Sequence, residues 1–265
     1  MKKDVGSKSP ILAVNRLCVG FPGKQKMKMV LSGVTFSLYP GEIHGLVGES
    51  GSGKSLFART LVRLEDPAAV ISGSINIKSV EITGNISKDI RRMRGKTVSL
   101  VLQDPITAMD PVFTIKNQLK DALYAGAGPR IPIKDVYALM EQAGIASPYE
   151  KCRLYPHEWS RGMLQRAQLV MAMLASPDIL ILDEVTSALD PTITLSIIEL
   201  IRKMRDEKGA AVILITHDID MAAYACDRIS VMKNGTIVES NTARALFTDP
   251  EHPYTRMLAT ESRGV

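Results

Sequence analysis

The sequence predicts an α/β fold: a mainly parallel core sheet, an antiparallel β subdomain before it and an α-helical subdomain inserted between its strands. Three observations carry that expectation. Apolar and polar residues alternate in the first part of the chain, apolar runs interleaved with helical stretches follow a glycine-rich loop at Gly48 to Ser55, and from Thr114 to Ala175 the periodicity is helical. Strands alternating with helices imply parallel pairing, with ligands at the carboxyl ends of the strands. The 265 residues can bury a full core. They read as one domain, 1–265, with the helical subdomain near 104–176 and a short tail near 249–265.

Ile11 to Val19 and Val30 to Leu38 read as antiparallel strands, broken at Gly20 to Gly23, with Phe21 in the intervening loop. Tyr39-Pro40-Gly41 turns the chain into Ile43 to Val47, a buried strand, and a helix follows from Leu56 to Leu64. Ile71 to Ile77 is a further strand. The basic cluster Arg91-Arg92-Met93-Arg94 reads as a solvated helix face, because no aromatics interleave with it as in a nucleic-acid groove. Val98 to Leu102 is a largely apolar strand that ends at Gln103-Asp104-Pro105.

The helical stretch is broken at Gly126 to Pro132, Gly144 to Pro148 and Tyr155-Pro156. Ser160 caps a helix reaching about Ala175. Ile179 to Leu182 is a short buried strand, Pro191 opens a helix to about Glu207, and Ala211 to Ile215 is the next buried strand. Arg228 to Lys233 and Thr236 to Ser240 flank Asn234-Gly235, the signature of a hairpin.

Composition is ordinary for a water-exposed globular protein, at 45% hydrophobic and 23% charged residues. No apolar run approaches the ~20 residues that cross a bilayer. Lys2 and Lys3 are not followed by an apolar signal core, so a cytoplasmic product is expected, with any membrane span supplied by other chains. Cys18, Cys152 and Cys226 have no metal-ligand spacing and read as ordinary buried or half-buried thiols. The net charge of +5 lacks a long Lys/Arg run and implies no particular partner.

The chemistry centres on Gly48-Glu49-Ser50-Gly51-Ser52-Gly53-Lys54-Ser55, which matches GxxxxGK[ST] at every fixed position. Chance would produce such a match on the order of once in a hundred chains of this size. Glycines at 48, 51 and 53 let the chain curl and aim backbone N–H groups at phosphates, at the positive end of the following helix. Lys54 reaches the β- and γ-phosphates and the Ser55 hydroxyl ligates Mg²⁺. A nucleoside triphosphate is therefore the expected ligand.

Each core strand then ends in a polar group: Gln103, Asp183-Glu184 and Thr216-His217. Two adjacent carboxylates after an apolar run divide the labour of phosphoryl hydrolysis. Asp183 holds Mg²⁺ through its water shell, and Glu184 polarises the attacking water. His217 alone would read as a structural histidine; beside this site, a γ-phosphate contact is the better reading. Phe21 reads, on the residues alone, as a core plug rather than a stacking partner for adenine.

These residues resemble the nucleotide-binding subunit of an ATP-binding cassette transporter, a P-loop NTPase. The likeness covers nearly the whole chain: the Walker A loop Gly48 to Ser55, the Q-loop at Gln103, a signature-like Trp159-Ser160-Arg161-Gly162-Met163, the Walker B strand Ile179 to Asp183 with Glu184, the D-loop Ser187-Ala188-Leu189-Asp190, and the switch His217. The resemblance implies that Phe21 stacks on adenine, that Gln103 senses Mg²⁺ and water, and that Ser160, Arg161 and Gly162 face the γ-phosphate held by a partner subunit. Closure of two such subunits on two ATP molecules is then the power stroke. A groove in the helical subdomain receives a cytoplasmic helix of the permease.

Tyr155-Pro156-His157-Glu158, Gly162-Met163-Leu164-Gln165-Arg166 and His252-Pro253-Tyr254-Thr255 resemble the peptide and nickel import group. The Met-Leu-Gln spelling, with a chain that stops at Val265 before the longer cysteine-containing tail of many oligopeptide members, leans toward nickel or a metal–metallophore complex. The expected partners are a second ATPase subunit, two permeases and, indirectly, an extracytoplasmic binding protein, with no nucleic acid. The expected location is the cytoplasmic face of the inner membrane, as a peripheral subunit.

Two positions depart from the family pattern. Arg161 stands where the signature has a glycine. It either blocks the close backbone approach or offers a guanidinium to the partner's phosphate. Because a homodimer would carry Arg161 in both sites, it points to a heterodimer. Val185 stands where proline usually follows the glutamate. Two rival readings remain: a soluble cassette ATPase acting on nucleic acid or the ribosome, and a regulatory nucleotide-binding subunit with weak hydrolysis. Intact Lys54, Asp183, Glu184 and His217 weigh against the second.

Overall fold

The computed structural model describes residues 9–24, 26–84, 88–126, 131–185 and 191–262. The chain begins with β1 (Leu12–Phe21) and β2 (Lys28–Leu38), then β3 (Ile43–Val47) and α1 (Lys54–Leu61). β4 (Val70–Ile77), β5 (Val80–Glu81), α2 (Lys88–Met93) and β6 (Val98–Val101) follow. Helices α3 (Pro105–Ala108), α4 (Ile115–Ala125), α5 (Ile133–Gln142), α6 (Pro148–Lys151) and α7 (Arg161–Ala175) lie between β6 and β7 (Ile179–Asp183). The remainder is α8 (Pro191–Lys208), β8 (Ala211–Thr216), α9 (Ile219–Ala225), β9 (Arg228–Lys233), β10 (Thr236–Thr242), α10 (Ala243–Thr248) and α11 (Pro253–Ser262).

Two sheets result. β2-β1-β4-β5 is antiparallel; β10-β9-β3-β8-β7-β6 is parallel except for β10, which turns back on β9. Every residue of β3, β7 and β8 is buried, as a parallel sheet covered on both faces requires. Alternate side chains serve two cores. Ile179, Ile181, Ile213 and Ile215 pack with α1 and the antiparallel sheet around Phe57, while Leu180, Leu182, Val212 and Leu214 pack with the helices of the other face. Phe57 is wholly buried, which contributes roughly 2–3 kcal/mol and anchors the helix that carries the phosphate loop.

Two expectations are corrected. Phe21 is the last residue of β1, paired with Lys28, rather than a loop residue, because the β1–β2 ladder continues past the Gly20 break. Arg91 and Arg92 are exposed as expected, but Arg94 turns inward: its Nε donates to the Val62 carbonyl at 2.8 Å and its Nη2 to the Arg63 carbonyl. Those carbonyls end α1, where orphan acceptors need a donor. Cys18 is half-buried, and Cys152 and Cys226 are buried free thiols.

The Asn234-Gly235 turn has φ of 47° and 77°, the paired left-handed conformation of a tight hairpin. It also reaches the phosphate loop. The Gly235 N–H donates to the Ser52 carbonyl at 2.9 Å, and its carbonyl accepts from the Ser32 N–H at 2.9 Å. A Cβ on Gly235 would lie 1.9 Å from the Val30 carbonyl. Gly235→Ala therefore lowers stability by about 2 kcal/mol or more, read as a lower thermal midpoint; an unchanged midpoint would contradict the packing.

Candidate functional site

The loop after β3 closes onto α1 with Gly53 as the helix N-cap at φ 109°, a conformation a Cβ would strain. Lys54 is the first helical residue and only 4% exposed. Its ammonium folds back on the loop, donating to the carbonyls of Gly48 at 2.6 Å and Glu49 at 2.8 Å. Burial lowers its pKa, against the opposing charges of Glu184, Asp183 and Glu49. A desolvated cation among carbonyls is a strong docking point for phosphate oxygens.

The strand ends converge on the same place. The Ser55 hydroxyl donates to Asp183 Oδ1 at 3.1 Å, and Gln103 Nε2 donates to Glu184 Oε2 at 2.6 Å. His217 Nδ1 lies 3.8 Å from Glu184 Oε1. Asp183 is 1% exposed, so it is no solvated strand end, and burial raises its pKa against the Ser55 hydrogen bond. An anionic Asp183 is thus favoured once a cation shares the site. A cleft of about 230 Å³ is lined by Gly51, Gly53, Lys54, Ser55, Gln103 and Glu184, with Ser50, Val30 and Leu56 at its walls.

Glu184 has a left-handed backbone, φ 51°, unusual outside glycine. Its N–H donates to the Ile215 carbonyl at 3.0 Å and its carbonyl accepts from Gln165 Nε2 at 3.2 Å. These bonds tie the Glu184 backbone to β8 and α7, while its carboxylate meets Gln103. The sequence shows Gln165 only as part of the Gly162 to Arg166 run; its contact with Glu184 needs the helix laid across the strand end. Val185, in the place of the usual proline, is buried in the core.

Ser160 caps α7, its Oγ accepting from the Met163 N–H at 3.3 Å, as the spacing predicts. Trp159 is buried with Nε1 donating to the Lys151 carbonyl at 3.1 Å. Arg161 at the helix start is exposed and Gly162 half-buried, and neither they nor Ser160 lines the cleft. Phe21 does not line it either, although its neighbouring strand supplies Val30. The segment Ser187 to Asp190 lies outside the described residues.

A glycine-rich loop with a buried lysine, a hydroxyl paired to a strand-end aspartate and a glutamate held by glutamine define a nucleoside-triphosphate hydrolase. Residues 31–187 match the ABC transporter family, and the chain belongs to it. It is 38% identical over 252 residues to the dipeptide transport ATP-binding protein DppD of Bacillus subtilis, covering 94% of this chain and 75% of that one. It is also 38% identical to the oligopeptide transport ATP-binding protein OppD of Lactococcus lactis, covering 94% and 74%. A dimeric ATP-binding cassette bound to ADP and Pi shares the fold with a TM-score of 0.77 at 22% identity, covering 88% of this chain and 99% of that chain. The protein is an ATP-binding and ATP-hydrolysing subunit that powers an ABC importer.

Proposed function

We propose that this ATPase drives uptake of small peptides, as a peripheral subunit on the cytoplasmic face of the membrane beside two permeases and a second ATPase. The observation that carries the cargo is the likeness to DppD over 94% of the chain. Relatives named for peptides favour peptides over nickel, toward which the Met163-Leu164-Gln165 spelling and the short tail without the cysteine-containing extension lean. Among the described residues no helix is long and apolar enough to cross a membrane, which supports a span supplied by other chains. The test is uptake by vesicles carrying the assembled transporter: ATP-dependent accumulation of a labelled dipeptide is expected, and nickel uptake without peptide uptake would overturn the cargo.

In this reading, the loop N–H groups and Lys54 bind the phosphates, Glu184 accepts a proton from the attacking water, and Gln103 and His217 orient Glu184. Phe21 stacks on adenine. The residues fit Mg²⁺: Ser55, Asp183 and Gln103 offer oxygen donors, and Asp183 is a buried carboxylate whose charge a cation would offset. The ion, when bound, neutralises charge on the β- and γ-phosphates.

The permease reading is supported by a cavity of about 340 Å³ between edge strand β6 and helices α3, α4 and α7, lined by Leu100, Met109, Ala122 and Met171. Buried Gln168 lines it too, with Oε1 lacking a hydrogen-bond partner. Ile106, Val112 and Phe113 stay exposed in the adjoining stretch, the apolar surface that a docking helix covers.

Arg161 is placed as the exposed first residue of α7. Within a heterodimer it faces the ATP held by the partner subunit, where a guanidinium contributes charge-assisted bonds to phosphate. Arg161→Gly in the assembled complex is expected to change the ATPase rate by about fivefold or more; an unchanged rate would remove Arg161 from the site.

A further inference from the structure

The His252-Pro253-Tyr254-Thr255 run lies outside residues 31–187, the part matched to the family, and the reaction described above leaves it without a task. Pro253 opens α11 at a favoured first-turn position. Tyr254 is 3% exposed and belongs to the helix-side core with Leu258 and Ala259. Its hydroxyl oxygen nevertheless meets the phosphate loop: the Glu49 N–H donates to it at 3.0 Å, across 205 residues of sequence.

We propose that Tyr254 is a positioning residue for the ATPase reaction, its hydroxyl holding the Glu49 peptide so that the phosphate loop is preformed when ATP arrives.

The Glu49 peptide is where the loop's bonds cross. Its carbonyl accepts from Lys54 Nζ at 2.8 Å and from the Ser52 N–H at 3.2 Å, while its N–H goes to Tyr254. A peptide unit is planar, so fixing the N–H fixes the direction of the preceding carbonyl, that of Gly48. Gly48 is a further acceptor of Lys54, at 2.6 Å. One hydroxyl therefore sets the direction of a carbonyl on which the catalytic lysine waits.

Tyr254 is itself clamped. Glu239 on β10 accepts the Glu251 N–H at 2.9 Å and the His252 N–H at 3.0 Å, tying down the chain just before α11. The Tyr254 N–H donates to His252 Nδ1 at 3.1 Å, and Lys233 Nζ sits 4.3 Å from the centre of the tyrosine ring. Lys233 and Glu239 lie on the two strands of the hairpin whose Gly235 N–H holds the Ser52 carbonyl. The loop is thus gripped at Glu49 by the tail and at Ser52 by the hairpin turn. Packing alone would be served by phenylalanine; a hydroxyl buried here is explained by its partner. A loop that must aim several N–H groups together gains affinity when its conformers are limited beforehand.

The test compares Tyr254→Phe and Tyr254→Leu with the wild-type full chain. Tyr254→Phe keeps the ring and loses the hydroxyl. Its melting temperature without nucleotide should stay close to wild type, while its ADP dissociation constant rises about fivefold, the weight of one hydrogen bond. In the assembled transporter the KM for ATP rises by the same factor with kcat within about twofold, and the Glu49 amide exchanges faster with deuterium. Wild-type ADP affinity, KM and Glu49 exchange in Tyr254→Phe would overturn the proposal, and a loss of stability confined to Tyr254→Leu would then make the residue a packing one. The proposal rests on the loop being the ATP site. Failure of the wild-type chain to bind ADP would refute that premise, whereas the exchange at Glu49 reads the tyrosine contact independently.

Discussion

Glu184→Gln is expected to stop turnover while leaving ATP bound, so that ATP-loaded dimers accumulate. The carboxylate is held by Gln103 at 2.6 Å and faces His217 at 3.8 Å, on a backbone whose φ of 51° is fixed by bonds to Ile215 and Gln165. Replacing one oxygen by an amide keeps size and backbone and removes the capacity to accept a proton from water. Loss of a general base costs about 10²–10⁴-fold in rate. Lys54 and the loop amides, the groups proposed to bind phosphate, are untouched. Single-turnover hydrolysis and size-exclusion chromatography with ATP read both halves of the expectation. Normal turnover without a trapped dimer would remove Glu184 from the role assigned to it.

Lys54→Ala should weaken ATP binding strongly where Glu184→Gln preserves it. The ammonium is buried and already desolvated, so its exchange of the Gly48 and Glu49 carbonyls for phosphate oxygens needs little further dehydration. Each charge-assisted hydrogen bond contributes about 1.5–3 kcal/mol. Loss of two lowers ATP affinity by roughly 100-fold or more. The Gly48 and Glu49 carbonyls lose a donor as well, so a modest fall in the melting temperature accompanies the loss. Titration with a fluorescent ATP analogue decides the matter: affinity within threefold of wild type would contradict a phosphate role for Lys54.

The contrast between these two variants separates binding from chemistry within one cleft. Lys54 opens α1 just after the β3 loop, and Glu184 follows the end of β7, two strands away in the sheet. What joins them is the Ser55 to Asp183 hydrogen bond, which spans 128 residues of sequence.

Wherever the chemistry is contiguous, the sequence by itself determined the outcome. The Gly48 to Ser55 loop, the Ser160 cap, the Asp183-Glu184 strand end and the Asn234-Gly235 hairpin all lie where local residue types place them. Backbone conformation and capping depend on neighbours within a few positions, so spelling suffices. The parallel order of the core strands was legible for a related reason, since wholly apolar strands must be covered on both faces. Phe21 escaped that logic: a Gly-Pro break reads as a loop, yet strand pairing with Lys28 carried β1 through it. Arg94 escaped it too, because the carbonyls it satisfies lie just past the end of α1, some thirty residues earlier in sequence. The left-handed Glu184, the Gln165 bond to its carbonyl and the Tyr254 hydroxyl on Glu49 were decided only by the tertiary structure. Each depends on a donor and an acceptor brought together by packing of whole elements, and no local pattern records where a distant hydroxyl or amide comes to rest.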